Sequence, residues 1–309
     1  TYQGIKGRTV QNLASDPPAA AGEGQIWFNT TSDTLKTSIG VGAWAAGNTY
    51  PTVVVYVSNC GTQTASVCAS GKATNPIPGS PITTASNEYD GTSWTATGVV
   101  GTARYGTGTS GVGTQTAALF TGGYEPANSV KTEEYNGSTW TEVNSLNTTQ
   151  LYQMQSAGSP QTAAVAVSGS PTSVCEEYDG TSWSTSPGAL NTAGFFGGGC
   201  GTLTATLAAA GQNRTTNAEE YDGSTWTAVN AFPTATSRVS MCGIQTAAIY
   251  AGGQSPPPAI VNLSGNYDGT SWSAGPNIGT AREIMGGAGI QTKALMVGGG
   301  NPAPTGNNL

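Results

Sequence analysis

Histidine is absent from all 309 residues, and that absence removes whole classes of chemistry. Without imidazole there is no Ser-His or Cys-His nucleophile pair and no His-ligated zinc or copper. Charge is scarce as well, with Asp, Glu, Lys and Arg making up only 9% of the chain. Ten basic residues against 17 acidic ones give a formal charge of -7, so the basic stripe that nucleic-acid phosphates require is missing. No GxxxxGK[ST] phosphate loop occurs. No cofactor and no metal site is expected. No apolar run reaches the 18 residues that would suggest a membrane-spanning helix. Thr1-Tyr2-Gln3-Gly4-Ile5-Lys6 has no apolar h-region and reads as no secretory signal, although the sequence starts at Thr1 rather than Met. Leu, Glu, Lys and Arg, the residues of long helices, are few.

What is abundant is glycine, at 45 positions, together with Thr, Ser, Ala and Asn. These residues are organised by one stretch written five times. It reads Glu88-Tyr89-Asp90-Gly91-Thr92-Ser93-Trp94 in its first copy and Glu134-Tyr135-Asn136-Gly137-Ser138-Thr139-Trp140 in its second. The other copies run from Tyr178 to Trp183, Tyr221 to Trp226 and Tyr267 to Trp272, and successive tryptophans lie 46, 43, 43 and 46 residues apart. A period in the forties, rich in strand formers and glycine, points to propeller blades. Asp-Gly or Asn-Gly between two short strands marks a tight turn, and the Tyr and Trp that bracket it can pack on the neighbouring blade.

A second signature, Gln115-Thr116-Ala117-Ala118, recurs at Gln63, Gln161, Leu203, Gln245 and Gln291. In the second repeat the expected strands are 104–110, 115–120, 129–135 and 139–143. Six second strands stand against five complete Tyr-to-Trp hairpins. The last repeat stops in a Pro- and Asn-rich tail after Gly300, whereas residues 35–47 form a degenerate hairpin copy in which Ile39 precedes Trp44 by five. The expectation is therefore an all-β propeller of six four-stranded blades. Its ring is closed by N-terminal strands that complete the C-terminal blade and remove open sheet edges. Residues 1–24, with Asp16-Pro17-Pro18, read as an arm or linker, and 25–309 as the propeller, of which 25–49 supply the outer strands of the closing blade. Residues 25–28 also read as a strand that would pair with 35–39.

Gly122-Gly123, Gly252-Gly253 and Gly298-Gly299 close second strands, Arg104, Arg238 and Arg282 open first strands, and a Tyr and a Trp mark the outer hairpin. In these features the chain resembles the kelch-type propeller repeat, with a shorter Tyr-to-Trp gap. The runs Glu88-Tyr89-Asp90-Gly91-Thr92-Ser93-Trp94-Thr95, Gly101-Thr102-Ala103-Arg104-Tyr105-Gly106 and Gly113-Thr114-Gln115-Thr116-Ala117-Ala118-Leu119-Phe120-Thr121-Gly122-Gly123 look like kelch-like virion proteins of tailed phages, especially marine and cyanophage types. The lead-in from Gly24 to Ser32 looks like an element of phage fibre and tail proteins. The resemblance implies a virion-surface or extracellular structural protein of a tail, fibre or capsid surface. Its partners would be other virion proteins, copies of itself and a host surface glycan or protein, with no nucleic acid and no membrane insertion. A bacterial extracellular adhesin or filament subunit and a virion glycan hydrolase are the alternatives.

Glu88, Glu134, Glu177 and Glu220 precede the repeated Tyr, and Glu133, Glu176 and Glu219 precede three of those. A glycosidase needs two carboxylates in one pocket, whereas equivalent slots around a ring hold these apart. They read as structural partners of Arg104, Arg238 or Arg282. The Asp-Gly-Thr-Ser-Trp run lacks the spacing of the sialidase Asp-box. No catalytic residue and no enzymatic activity is expected. Cys60, Cys200 and Cys242 share one slot before a glycine and read as small buried residues. A Cys60–Cys68 disulfide stays open. Phe195-Phe196 suits either core filling or sugar stacking. Loops joining strands two to three, and blade to blade, vary between repeats, and a rigid scaffold lets such loops carry recognition. Lys72, Tyr124, Glu125, Asn128, Asn213 and Gln254 are the candidate ligand-face residues. Tyr89, Trp94, Tyr135, Trp140, Tyr178, Trp183, Tyr221, Trp226, Tyr267 and Trp272 are the structural repeat.

Overall fold

A computed structural model of the chain describes residues 11–13, 26–31, 34–37, 43–73, 81–106, 112–125, 127–148, 155–167, 173–193, 197–211 and 214–300. It divides into two units, Thr1–Ala43 and Trp44–Leu309. In the first, Gln11–Leu13 pairs in parallel with Ile26–Asn29, which pairs antiparallel with Thr34–Thr37. The second is a β-propeller with no helix among the described residues.

Five four-stranded antiparallel blades follow in chain order. The first comprises Ser58–Thr62, Ala65–Ala69, Ser86–Tyr89 and Trp94–Ala96. Val112–Thr114, Ala117–Thr121, Thr132–Tyr135 and Trp140–Val143 form the second. The third is Gln155–Gly158, Ala164–Val167, Glu176–Tyr178 and Trp183–Thr185. Gly198–Thr202, Ala205–Ala209, Ala218–Tyr221 and Trp226–Ala228 make the fourth. The fifth is Ser240–Ile244, Ala247–Ala251, Ser264–Tyr267 and Trp272–Ala274. In every blade the repeated Tyr and Trp face each other across the outer hairpin, as in Tyr135↔Trp140. The intervening glycine has φ of 89–93° in all five copies, a left-handed backbone that a side chain would strain.

The expected six four-stranded blades are thus five. After the fifth comes a two-stranded hairpin, Gly286–Ile290 with Lys293–Val297. Among the described residues, Lys293–Val297 has no ladder partner on its outer edge, and Thr34–Thr37 pairs with Ile26–Asn29 instead. A local hairpin closes a short loop, so it costs less chain entropy than pairing across the whole sequence. In the second blade Val112–Thr114 is the first strand; of the expected strand 104–110, residues 107–110 lie outside the described residues. Tyr105 makes only an isolated bridge to Tyr124.

No single centre holds the core. Each boundary between blades has its own apolar cluster, as in repeat architectures generally. Leu207, Phe232, Met241, Tyr250 and Tyr267 are buried between the fourth and fifth blades. Tyr50, Val54, Val57, Cys68 and Val297 are buried between the first blade and the final hairpin. Ala251, Ile278 and Met285 cluster with the partly buried Trp44 between the fifth blade and that hairpin. Each fully buried large apolar side chain is worth about 1.5–3 kcal/mol.

Candidate functional site

A propeller of this kind has two faces, and their side chains are used differently. Turns joining strands one to two and three to four share the first face. On it, each Asp or Asn of the repeated hairpin accepts backbone N–H groups two and three residues on, as Asp179 does from Thr181 at 2.8 Å and Ser182 at 2.7 Å. These bonds hold the Asp90, Asp179, Asp222 and Asp268 carboxyls below the usual carboxylate range. Asn136 makes the same two bonds.

The repeated acids are not partners of the blade arginines alone. Glu88, Glu134, Glu177 and Glu220 each accept a hydrogen bond from the Tyr hydroxyl of the following blade: Tyr135, Tyr178, Tyr221 and Tyr267. Burial is the main reason the Tyr135 and Tyr221 hydroxyls are pushed up to about 12. The fifth blade carries Asn266 in the Glu slot, and the degenerate copy that follows it in the repeat order has Ile39 where the Tyr would be. Glu133, Glu176 and Glu219 have a second task. Glu176 accepts from Asn147 N–H at 2.8 Å and Thr148 N–H at 2.9 Å, which pins the connection between blades. Glu219 does the same for Asn191 and Thr192. Glu133 binds Gly101 N–H and also pairs with Arg104 at 2.8 Å, both side chains being 1% exposed. Arg238 pairs with Glu283, while Arg282 donates to the Gly298 carbonyl. The seven repeated acids are therefore acceptors in the scaffold.

Two further bonds tie neighbours together. The second-strand glutamines reach backward: Gln115 donates to the Ser66 and Tyr89 carbonyls, Gln161 to Ala118 and Tyr135, Gln245 to Thr206 and Tyr221, and Gln291 to Ala248 and Tyr267. Gln63 donates to Ala294 at 3.5 Å. The indole N–H of Trp140 donates to Ser86 Oγ, that of Trp183 to Thr132 Oγ1, and that of Trp44 to Ser264 Oγ. Trp226 meets Cys175 at the equivalent slot, and its buried N–H has no acceptor.

The other face carries the variable loops. Lys72, Tyr124 and Gln254 prove to be one position in three blades, each just beyond the glycine that ends a second strand. Backbone bonds fix that position: Tyr124 exchanges two bonds with Tyr105, and Gln254 two with Ser237. Glu283 and Gly300 repeat the exchange in the final hairpin. One residue further on, Tyr56, Arg238 and Ile284 share a left-handed φ of 58–61°. Their backbones bond head to tail, with Gly106 N–H to Tyr56, Tyr56 N–H to Ile284 and Ile284 N–H to Arg238.

The structure brings two of the expected ligand-face residues together around one that the sequence reading passed over. Tyr105 sits between Tyr56 and Tyr124, with both ring-centroid distances 5.3 Å, and the Lys72 ammonium lies over the Tyr105 ring, 5.3 Å from its centroid. All four side chains are half-buried. Glu125 and Asn128 flank Tyr124, Asn128 bridging to it. Gln254 is apart from this group, accepting from Arg214 at 2.6 Å. Asn213 and Phe195-Phe196 lie outside the described residues. Tyr56 and Arg238 were legible as equivalents, since Ser58-Asn59-Cys60-Gly61 and Ser240-Met241-Cys242-Gly243 follow them.

A cavity of about 200 Å3 opens on the opposite, turn face. Cys60, Cys200, Cys242 and Ala288, with the glycines that follow them, line it. All five cysteines are free and buried, and burial pushes the Cys200 thiol up to about 12. Cys68 stands opposite Asn59 and Cys60 opposite Val67, so the two thiols leave the ladder on opposite faces and form no disulfide. Compared with known proteins, the sequence matches no family model and no curated protein.

Proposed function

We propose that this chain is a non-enzymatic, kelch-like propeller of a phage virion, placed on a tail, fibre or capsid surface, that attaches to a host through its loop face. The observation that carries the reading is the division of labour between faces. Every repeated acid and glutamine serves the scaffold, and the side-chain variety gathers on the opposite side. Among the described residues the recurring carboxylates are engaged as acceptors in separate blades, which favours this reading over a glycan hydrolase built on two converging acids.

In the same proposal the ring closes at the final hairpin, with the stretch from Trp44 to Asn48 standing where the end of a further outer hairpin would lie. Three features support this. Trp44 donates to Ser264 as Trp140 does to Ser86. Asn48, four residues after Trp44, binds Thr92 as Asn230 binds Thr270. Gln63 and Tyr56 reach the final hairpin at Ala294 and Ile284. The N-terminal segment would then meet the particle or neighbouring subunits. Mass spectrometry and cryo-electron microscopy of the purified particle test the assignment: the propeller should be a stoichiometric surface component. A particle lacking it, with the protein bound instead to cells that release no phage, would favour an adhesin.

A further inference from the structure

We infer that the Tyr56–Tyr105–Tyr124 row with Lys72 is a subsite for a carboxylate-bearing saccharide, an inference that rests on the loop face being a recognition surface. The row spans the first two blades. Tyr56 belongs to the head-to-tail backbone chain with Ile284 and Gly106, and Tyr124 lies outward on the second blade. Interplanar angles of 53° and 54° stagger the three rings. Such a strip offers apolar edges and faces beside phenolic hydroxyls, which suits the mixed apolar and hydroxylated surface of a pyranose. Tyrosine also supplies that contact at small cost in side-chain entropy.

Charge selects the kind of sugar. Among the described propeller residues, Arg214 and Arg238 already serve Gln254 and Glu283, and Arg104 and Arg282 are buried on the Gly122 and Gly298 carbonyls. Lys131 pairs with Glu142 and donates to Thr102. Lys72 joins none of the ion pairs among the described residues, and a ring face holds its ammonium. The chain as a whole is acidic, with a formal charge of -7. Long-range steering of an anion is therefore unfavourable, and recognition must come from short-range contact, for which Lys72 is placed. Ring stacking alone would accept neutral and acidic sugars alike, so Lys72 is the residue that distinguishes them.

The test uses an oligogalacturonate tetramer as the acidic probe and a neutral galactose tetramer as its control, with binding followed by calorimetry and by saturation transfer from tyrosine ring protons. The native protein should bind the acidic probe more tightly than the neutral one. Lys72→Ala should weaken the acidic probe about tenfold and leave the neutral one unchanged. Tyr124→Ala should weaken both, with Tyr124→Leu as a variant that keeps apolar bulk should the alanine form unfold. Lys293→Ala, exposed on the turn face, should change nothing. Equal binding of the two probes, no saturable binding, or an acidic affinity untouched by Lys72→Ala would overturn the subsite. Particle adsorption separates the two levels. If adsorption is lost when Tyr124 and Gln254 are replaced while neither sugar binds, the recognition face stands and the saccharide subsite falls. If adsorption is also unaffected, both fall.

Discussion

On the turn face, five Asp-Gly or Asn-Gly hairpins repeat one set of bonds, whereas on the loop face the position after the glycine carries Lys72, Tyr124, Gln254 and Gly300 in different blades. Both faces belong to the same sheets. The difference lies in what the side chains must do. Around the outer hairpin, the Tyr hydroxyl, the Glu and the Gln each bind a neighbouring blade, so changing one strands its partner. On the loop face two backbone hydrogen bonds fix the position, and the side chain is left to vary.

The sharpest way to break that contrast is in the scaffold. Glu133→Ala leaves Arg104 buried without its counter-charge, and the expected loss is about 3–5 kcal/mol by urea denaturation. Tyr178→Phe removes the hydroxyl that serves Glu134 at 2.8 Å and should cost about 2 kcal/mol. Burial of these hydroxyls sets an alkaline limit. Hydroxyls raised in the folded state favour folding below the ordinary tyrosine value of about 10, and that contribution is lost as pH rises through the folded value. With Tyr135 and Tyr221 pushed up to about 12, absorbance titration should show a late-ionising tyrosine class that disappears on unfolding.

Smaller changes sharpen the comparison instead. Cys175→Ser places a hydroxyl where Ser86, Thr132 and Ser264 already accept an indole N–H, and should add about 1 kcal/mol by satisfying Trp226. Asp179→Asn should be nearly silent at neutral pH because Asn136 makes the same turn. The four turn aspartates, lowered in the folded state, stabilise it above the ordinary carboxylate range. That stability is lost as pH falls through their folded values, and the asparagine variant should lose less in an acid melt. Smallest of all, Lys72→Ala should move stability by no more than about 0.5 kcal/mol.

The repeat was readable because its residues have local causes: a turn glycine at positive φ, an Asx cap, and an aromatic pair directly across a hairpin. Partners that depend on the neighbouring blade were less accessible. Nothing in Glu134-Tyr135 says that the Glu serves Tyr178 of the next copy, and the expected arginine pairing holds only for Glu133 among the repeated acids. The substitution of Asn266 for Glu, just before a copy lacking Tyr, was the available clue. Blade count was misjudged where a spare strand had two possible partners, and the short hairpin of Thr34–Thr37 with Ile26–Asn29 prevailed. Lys72 and Tyr124 were picked out as varied loop residues, but Tyr105 sits beside a repeated Arg and looked like scaffold. Its role between Tyr56 and Tyr124 emerges only when two blades are placed side by side.

The most direct test of the division between faces compares two multiple variants in one host-cell binding experiment. One replaces Lys72, Tyr124 and Gln254 with alanine, and the other converts Asp90, Asp179, Asp222 and Asp268 to asparagine. The loop-face variant should melt like the native protein and lose binding, while the turn-face variant should keep it. Retained binding by the first, or its loss from a folded second, would contradict the assignment of recognition to the loop face.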